Sequence, residues 1–425
     1  MFGWEFPPHI SGGLGTACYG LTKGLTELEN IEISFVVPKA YGDEHPTSMQ
    51  LIGANQVPVS KTEMVFDDPV KKIDYYEVES GIVPYVGEEE FWELKKNKYS
   101  KELRFIETDD DLRIDFTGNY GPGLIDEIWK YAMVSEIIAQ KNQFDIIHAH
   151  DWLAYPAGMA AKRVSGKPLV IHVHATDFDR SGGSVNPRVY AIEREGMEMA
   201  DKIIAVSKLT KTTIVEKYGI SPDKVIVVYN AVEPVFEETT SFPEKGINEK
   251  IVTFLGRITL QKGPEYFIEA ANLILKKMNN VRFVMAGSGD LMNSMITRVA
   301  ELGISDHFHF TGFLKGSDVT QMLKMTDVFV MPSVSEPFGI VPLEAMQSKV
   351  PVIISKQSGV AEILENTIKI DFWDTYAMAD AIYALLNYQA LSDHFRERGK
   401  NEVDNLKWIH SANKVIDVYK SVLTS

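Results

Sequence analysis

The chain is predicted to be an α/β protein built from two doubly wound, Rossmann-like parallel-sheet domains. Three observations lead there. Its 425 residues exceed what one ordinary core fills, so two domains are expected. Short β-branched runs alternate with helical patterns through most of the chain, the pattern of parallel sheets wrapped by helices. Apolar runs such as Ile203-Ile204-Ala205-Val206 are continuous rather than alternating, which fits strands buried on both faces.

Taken in order, strands are expected at residues 31–37, 145–150, 169–174, 202–207 and 224–229. A second set follows at 251–256, 281–286, 308–311, 328–331 and 350–354. Helical patterns separate them, for example at 123–141, 209–218 and 264–278. Residues 41–115 read as irregular, with hairpin-like runs at 73–78 and 82–86 and an acidic stretch Asp109-Asp110-Asp111. Residues 231–249 are rich in Glu, Thr, Ser and Pro without a period, a linker composition. Two domains are therefore expected at 1–240 and 241–407, followed by an amphipathic helix within 408–425. A doubly wound domain opens on a strand of about five to six residues. Only residues 1–4 precede the loop 5–15, so the first strand is expected to be cut short.

Composition limits the function. The apolar fraction of 45% and charged fraction of 24% are ordinary for a globular chain. A formal charge of −16 argues against nonspecific nucleic-acid binding, which needs a basic surface. Any anionic substrate must then be held by a local basic pocket. Cys18 is the single cysteine, so no intrachain disulfide forms, and it reads as a small buried apolar residue. No secretory signal is visible and no apolar run reaches the ~20 residues of a membrane span. A cytoplasmic protein is expected.

Chemistry gathers at strand ends, where open α/β sheets bind ligands. Ser11-Gly12-Gly13-Leu14-Gly15 joins strand to helix and offers close backbone approach and free amides to a phosphate or sugar. Gly256-Arg257-Ile258-Thr259-Leu260-Gln261-Lys262-Gly263 places two cations after an apolar strand, suited to a diphosphate. Glu336 and Glu344 stand eight positions apart around Phe338-Gly339-Ile340, which is expected to open a helix. Gly287 and Phe313 follow two further strands. Such a set suits a ligand anionic at one end and hydroxyl-rich at the other, as a nucleotide sugar is. His148-Ala149-His150-Asp151-Trp152 and His172-Val173-His174 end adjacent strands. A metal reading is rejected because no cysteine or His-Glu-x-x-His helix accompanies them. Asp151 and His174 are instead expected to hydrogen-bond sugar hydroxyls, several of the histidines simply being satisfied inside the sheet. The acidic triplet Asp109–Asp111 is read as a solvated loop.

Together these motifs, in this order, resemble the retaining glycosyltransferases of family 4 and their glycogen and starch synthase relatives. The resemblance spans essentially the whole chain. It implies the GT-B architecture, two Rossmann-like domains facing across a cleft, with the last helix crossing back to the first domain. By position it implies that Arg257 and Lys262 bind the donor diphosphate, Glu336 the donor sugar and Glu344 the ribose. Phe338, Gly339 and Ile340 would supply amides, while Gly12 and Gly13 would cap the diphosphate. His174 would sit beside the transferred sugar and Asp151 would line the same pocket. Glycogen synthases carry Lys-Thr-Gly-Gly where this chain has Ile10-Ser11-Gly12-Gly13, which favours another family 4 enzyme. The opening Trp4-Glu5-Phe6-Pro7-Pro8 and the His-Asp-Trp lean towards α-glucan synthesis.

The implied activity is retaining transfer of a hexose, glucose by preference, from a nucleoside diphosphate sugar to a carbohydrate acceptor. No cofactor and no metal is expected. An acceptor other than α-glucan, including a lipid, is the alternative within the family. A sugar-nucleotide 2-epimerase, a phosphorylase and an inactive nucleotide-sugar sensor are the rival readings.

Overall fold

A computed structural model describes residues 1–10, 12–44, 49–59, 105–107, 112–121, 123–233, 246 and 248–424. The runs expected at 73–78 and 82–86, the acidic triplet 109–111 and most of the linker lie outside the described residues.

The first sheet is assembled around the chain's opening residues. Phe2 forms parallel bridges both to Val36, in strand β1 (Ser34–Val37), and to Ala149, in strand β5 (Ile147–His150). Phe2 N–H donates to the His148 carbonyl at 2.7 Å, His150 N–H to the Phe2 carbonyl at 2.9 Å, and Gly3 N–H to the Val36 carbonyl at 2.9 Å. The opening segment is thus a short central strand. β2 (Gln50–Gly53) pairs in parallel with β1, and β6 (Leu169–Val173), β7 (Lys202–Ala205) and β8 (Val225–Val227) continue from β5 in parallel. β5, β6 and most of β7 are buried residue by residue, as their continuous apolar runs require. Phe105–Glu107 (β3) and Leu112–Ile114 (β4) form a separate antiparallel pair.

The second sheet is all parallel, with six strands in the order β11-β10-β9-β12-β13-β14. They are β9 (Lys250–Leu255), β10 (Val281–Ala286), β11 (Phe308–Gly312), β12 (Val328–Met331), β13 (Val352–Ser355) and β14 (Ile368–Ile370). The last was not expected from the sequence: Ile-Lys-Ile is too short to give a period. The order reverses between β9 and β12, which makes this edge the topological switch point.

Helices α1 (Gly13–Thr26), α2 (Leu124–Lys141) and α3 (Tyr155–Ser165) cover the first sheet. The terminal helix, Trp408–Leu423, joins them: Trp408, Ala412, Val415 and Val418 share a core with Leu21, Leu25, Val170 and Ile204. Gly20 makes this possible. A Cβ there would stand 2.2 Å from the Trp408 indole, and the glycine lets the two helices close. Cys18 is buried on α1 and burial pushes its thiol pKa well up. Among the described residues no helix is long and apolar enough to cross a membrane.

Candidate active site

The second-half residues converge because three loops at the strand ends are stitched by backbone. Gly256 N–H donates to the Ala286 carbonyl at 3.0 Å, Ile258 N–H to the Ser288 carbonyl at 2.9 Å, and Gly287 N–H to the Gly312 carbonyl at 2.9 Å. Gly287 has φ of +135°, and a Cβ on it would stand 1.8 Å from the Gly256 carbonyl oxygen. Only glycine fits there. A 3-10 turn, Leu260–Lys262, then leads into helix Pro264–Leu275.

That turn aims Lys262 across to the loop after β12. Its Nζ lies 2.5 Å from Glu336 Oε2, and Ser333 Oγ donates to the same oxygen at 3.2 Å. Arg257 Nη2 donates to Gln261 Oε1 at 3.1 Å, while the Gln261 carbonyl accepts from Val334 N–H at 2.9 Å. The arginine, the lysine and Glu336 are therefore held on one framework. Glu336 itself is pinned by backbone: its N–H donates to the Gln357 carbonyl and its carbonyl accepts from Gly359 N–H.

Glu344 stands on a short helix, Val341–Gln347, which begins directly after the Phe338-Gly339-Ile340 expected to open it, with Ile340 as its N-cap. It is half-buried, and its carboxylate has no hydrogen-bond partner among the described residues. Desolvation raises its pKa to about 7. A carboxylate so placed gains most from donors that a ligand brings. The Phe338 ring is core, packed with Val206, Leu343 and Val360, so only its backbone faces outward chemistry. Gly339 has φ of +102°. Phe313 is 48% exposed, with Lys315 Nζ 5.8 Å from its ring centroid.

In the first half, Gly12 and Gly13 open α1 in free space, since a Cβ on either would meet nothing within 4 Å. The glycine that sterics demand in this loop is Gly15, whose Cβ would stand 2.3 Å from Ile10 Cγ2. Gly15 N–H donates to Glu5 at 3.1 Å. His174 is half-buried after β6, its Nε2 3.1 Å from His150 Nδ1. Burial lowers its pKa to about 4, so it is a neutral ring at pH 7.

Two expectations need correcting. Asp151 does not line a sugar pocket: it is 1% exposed and fully engaged internally. Arg180 Nη2 donates to its Oδ2 at 2.6 Å, and Ala175 N–H to its Oδ1 at 3.3 Å. Its φ of +63° is left-handed backbone at the strand end. Asp151 thus fixes the loop that bears His174. Nor are the strand histidines without a neighbouring cysteine, since Cys18 reaches them from α1. Both His172 ring nitrogens and Nε2 of His148 and His150 are buried without a partner among the described residues. Nitrogens of His148, His150 and His172 lie within 4.8 Å of one another, as do ligand atoms of Cys18, His150 and His174. The first three rings stack with interplanar angles of 23°, 10° and 30°, so their lone pairs run in near-parallel planes rather than towards one point. Burial holds all three well below the usual histidine range.

Arg180 was invisible in the sequence. Its Nη1 donates to Glu193 Oε1 at 3.0 Å, and burial raises the Glu193 pKa to about 8. The neighbouring Asp179 accepts from Ser335 Oγ at 2.6 Å. This bond ties the loop after His174 to the loop that carries Glu336, and so joins the two halves at the chemistry. The signal in sequence was only a Thr-x-x-Asp capping box at Thr176 and Asp179.

The family model for glycosyl transferases group 1 matches residues 237–402, and that for glycosyltransferase family 4 matches residues 107–236. An uncharacterized glycosyltransferase of Methanocaldococcus jannaschii is 27% identical over 99% of this chain and 97% of its own. Among solved structures, sucrose-phosphate synthase from Thermosynechococcus elongatus superposes with a TM-score of 0.70 at 17% identity, covering 97% of this chain and 94% of that one. Anabaena HepE, solved with UDP and glucose, gives a TM-score of 0.61 at 20% identity, covering 69% and 81%. With adjacent family models spanning both halves and two parallel-sheet domains, this chain belongs to the family 4, group 1 glycosyltransferases and has the GT-B fold.

Proposed function

We infer that the enzyme transfers a hexose, glucose by preference, from a nucleoside diphosphate sugar to an acceptor hydroxyl, with retention and without a metal. The observation that carries this reading is the framework of Arg257, Lys262 and Glu336, together with Glu344, whose carboxylate has no partner among the described residues. The Anabaena neighbour holds UDP and glucose, which supports a donor of this class. Lys262 has three N–H donors, so it can keep Glu336 and still take a phosphate oxygen. Arg257 supplies a second charged donor for the diphosphate. Glu344 accepts from the vicinal ribose hydroxyls, Glu336 faces the hexose, and neutral His174 meets its hydroxyls from the other half. Open amides at Gly12 and Gly13 approach the diphosphate at the start of α1.

In this scheme the bond between the anomeric carbon and the diphosphate oxygen breaks first. The acceptor oxygen then bonds to that carbon on the same face, and its proton passes to the departing diphosphate. Arg257 and Lys262 stabilise the charge that grows on the leaving group. No protein nucleophile enters. For the acceptor, the opening Trp-Glu-Phe-Pro-Pro and the His-Asp-Trp support an α-glucan, and another glycan or a lipid is the alternative.

The test is a donor panel (UDP-glucose, ADP-glucose, GDP-mannose, UDP-GlcNAc) with glycogen among the acceptors, with and without chelator, and anomeric analysis of the product. A retained anomer formed in chelator is expected. An inverted product or loss of turnover on chelation rejects the scheme, donor consumption without acceptor indicates an epimerase, and binding without turnover indicates a sensor.

A further inference from the structure

Cys18, His150 and His174 come from three separate elements and meet inside the first half. Cys18 lies on α1, His150 closes β5 and His174 directly follows β6. The Cys18 sulfur and one ring nitrogen from each histidine all lie within 4.8 Å of one another. His150 Nδ1 and His174 Nε2 stand 3.1 Å apart. Two imidazoles on one tetrahedral zinc, each bound at ~2.0–2.1 Å, hold their nitrogens roughly 3.3 Å apart, so this spacing fits a shared ion. The pair meets nitrogen to nitrogen, unlike the stacking that keeps the lone pairs of His148, His150 and His172 from converging.

The surroundings of the sulfur are anionic. Burial, and then the Glu5 and Asp151 carboxylates, push the Cys18 thiol well up. A bare thiolate is therefore disfavoured. A divalent cation reverses that balance, since a thiol that coordinates one is deprotonated outright, and the same two carboxylates then favour the added charge. Burial keeps both imidazoles neutral, the form that offers a lone pair. One thiolate and two imidazoles are a donor set suited to zinc. Cys18 and His150 are 1% and 0% exposed, whereas His174 is only half-buried and gives the way in.

We propose that Cys18, His150 and His174 hold a zinc ion through Sγ, Nδ1 and Nε2, with water in the fourth position. Binding forms one zinc–sulfur and two zinc–nitrogen bonds and releases the Cys18 proton to solvent; nothing is oxidised or reduced. The ion clips α1, whose first residue is Gly13, to the ends of β5 and β6, segments far apart in the chain. Coordination through Nε2 leaves His174 Nδ1–H to donate to a sugar hydroxyl, the role assigned to it above. All three ligands belong to the first half. The diphosphate is assigned to Arg257 and Lys262 of the second, so no step of transfer is routed through the ion.

The experiment produces the whole chain in zinc-supplemented medium and, separately, in zinc-depleted medium with cobalt. Elemental analysis after dialysis should give one zinc per chain. The cobalt form should show a thiolate-to-cobalt charge-transfer band and the intense visible bands of four-coordinate cobalt. Cys18→Ala should abolish the charge-transfer band, and Cys18→Ala and His150→Gln should each weaken zinc affinity by more than roughly 100-fold. Chelator present throughout a thermal melt should lower the wild-type midpoint by several degrees and leave that of Cys18→Ala unmoved. Circular dichroism separates lost binding from lost fold. Dialysed wild type with well under one zinc per chain and a cobalt form without the charge-transfer band overturns the proposal, and so does unchanged zinc affinity in folded Cys18→Ala. The histidine contact is then a plain hydrogen bond. Turnover is not a readout here, and brief chelation of the folded enzyme leaves so buried an ion in place, so this proposal and the transferase reading can each fail alone.

Discussion

Glu344 offers a test in which stability and binding move in opposite directions. Its pKa stands near 7 in the fold against 4.5 in an unfolded chain, because burial disfavours the charged form. With the folded value raised, the carboxyl costs the fold nothing below pH 4.5. The penalty grows as pH rises between the two values and is complete above 7. A shift of this size corresponds to at most about 3 kcal/mol. Glu344→Gln removes the ionisable group and keeps the shape. Apo melts should therefore coincide near pH 5, while at pH 8 the variant should be the more stable, by up to about 3 kcal/mol. Donor affinity should fall roughly 10- to 100-fold at pH 8, as a charged acceptor of hydroxyl hydrogen bonds is lost. In the wild type, donor affinity should strengthen as pH rises through 7. Chemical denaturation at the two pH values and donor calorimetry read both effects. A variant no more stable at pH 8 than the wild type would refute the desolvation argument. Unchanged donor affinity would refute the ribose role.

Other outcomes follow from the same geometry. Arg257→Ala should lower turnover by roughly 10²–10³-fold with the melting temperature little changed, since its loss is felt as charge grows on the leaving diphosphate; near-normal turnover rejects the role. Gly287→Ala should destabilise the second half severely, because its Cβ would stand 1.8 Å from the Gly256 carbonyl at a φ of +135°; a native melting curve would refute the close approach. Arg180→Leu should cost about 3–5 kcal/mol by stranding Asp151 and Glu193, both 1% exposed. Denaturant titration reads that cost, and a loss below about 1 kcal/mol would show the network to be unimportant.

The alternating elements, the two sheets' worth of parallel strands and the loops where chemistry gathers were all legible in the order of residues. Those features are local: a continuous apolar run, a glycine after a strand, a cation at fixed spacing. Even so, β14 escaped it, because a segment this short is a strand only through its neighbours' hydrogen bonds. Which charges are committed depends on the folded contacts. Asp151 and Glu336 read alike as strand-end carboxylates, yet one is locked beneath Arg180 and the other pairs with Lys262 beside Arg257. Spacing along a chain reports which groups can reach one another, whereas desolvation and partner choice depend on contacts between residues far apart in the chain, such as Asp179 and Ser335, 156 positions apart.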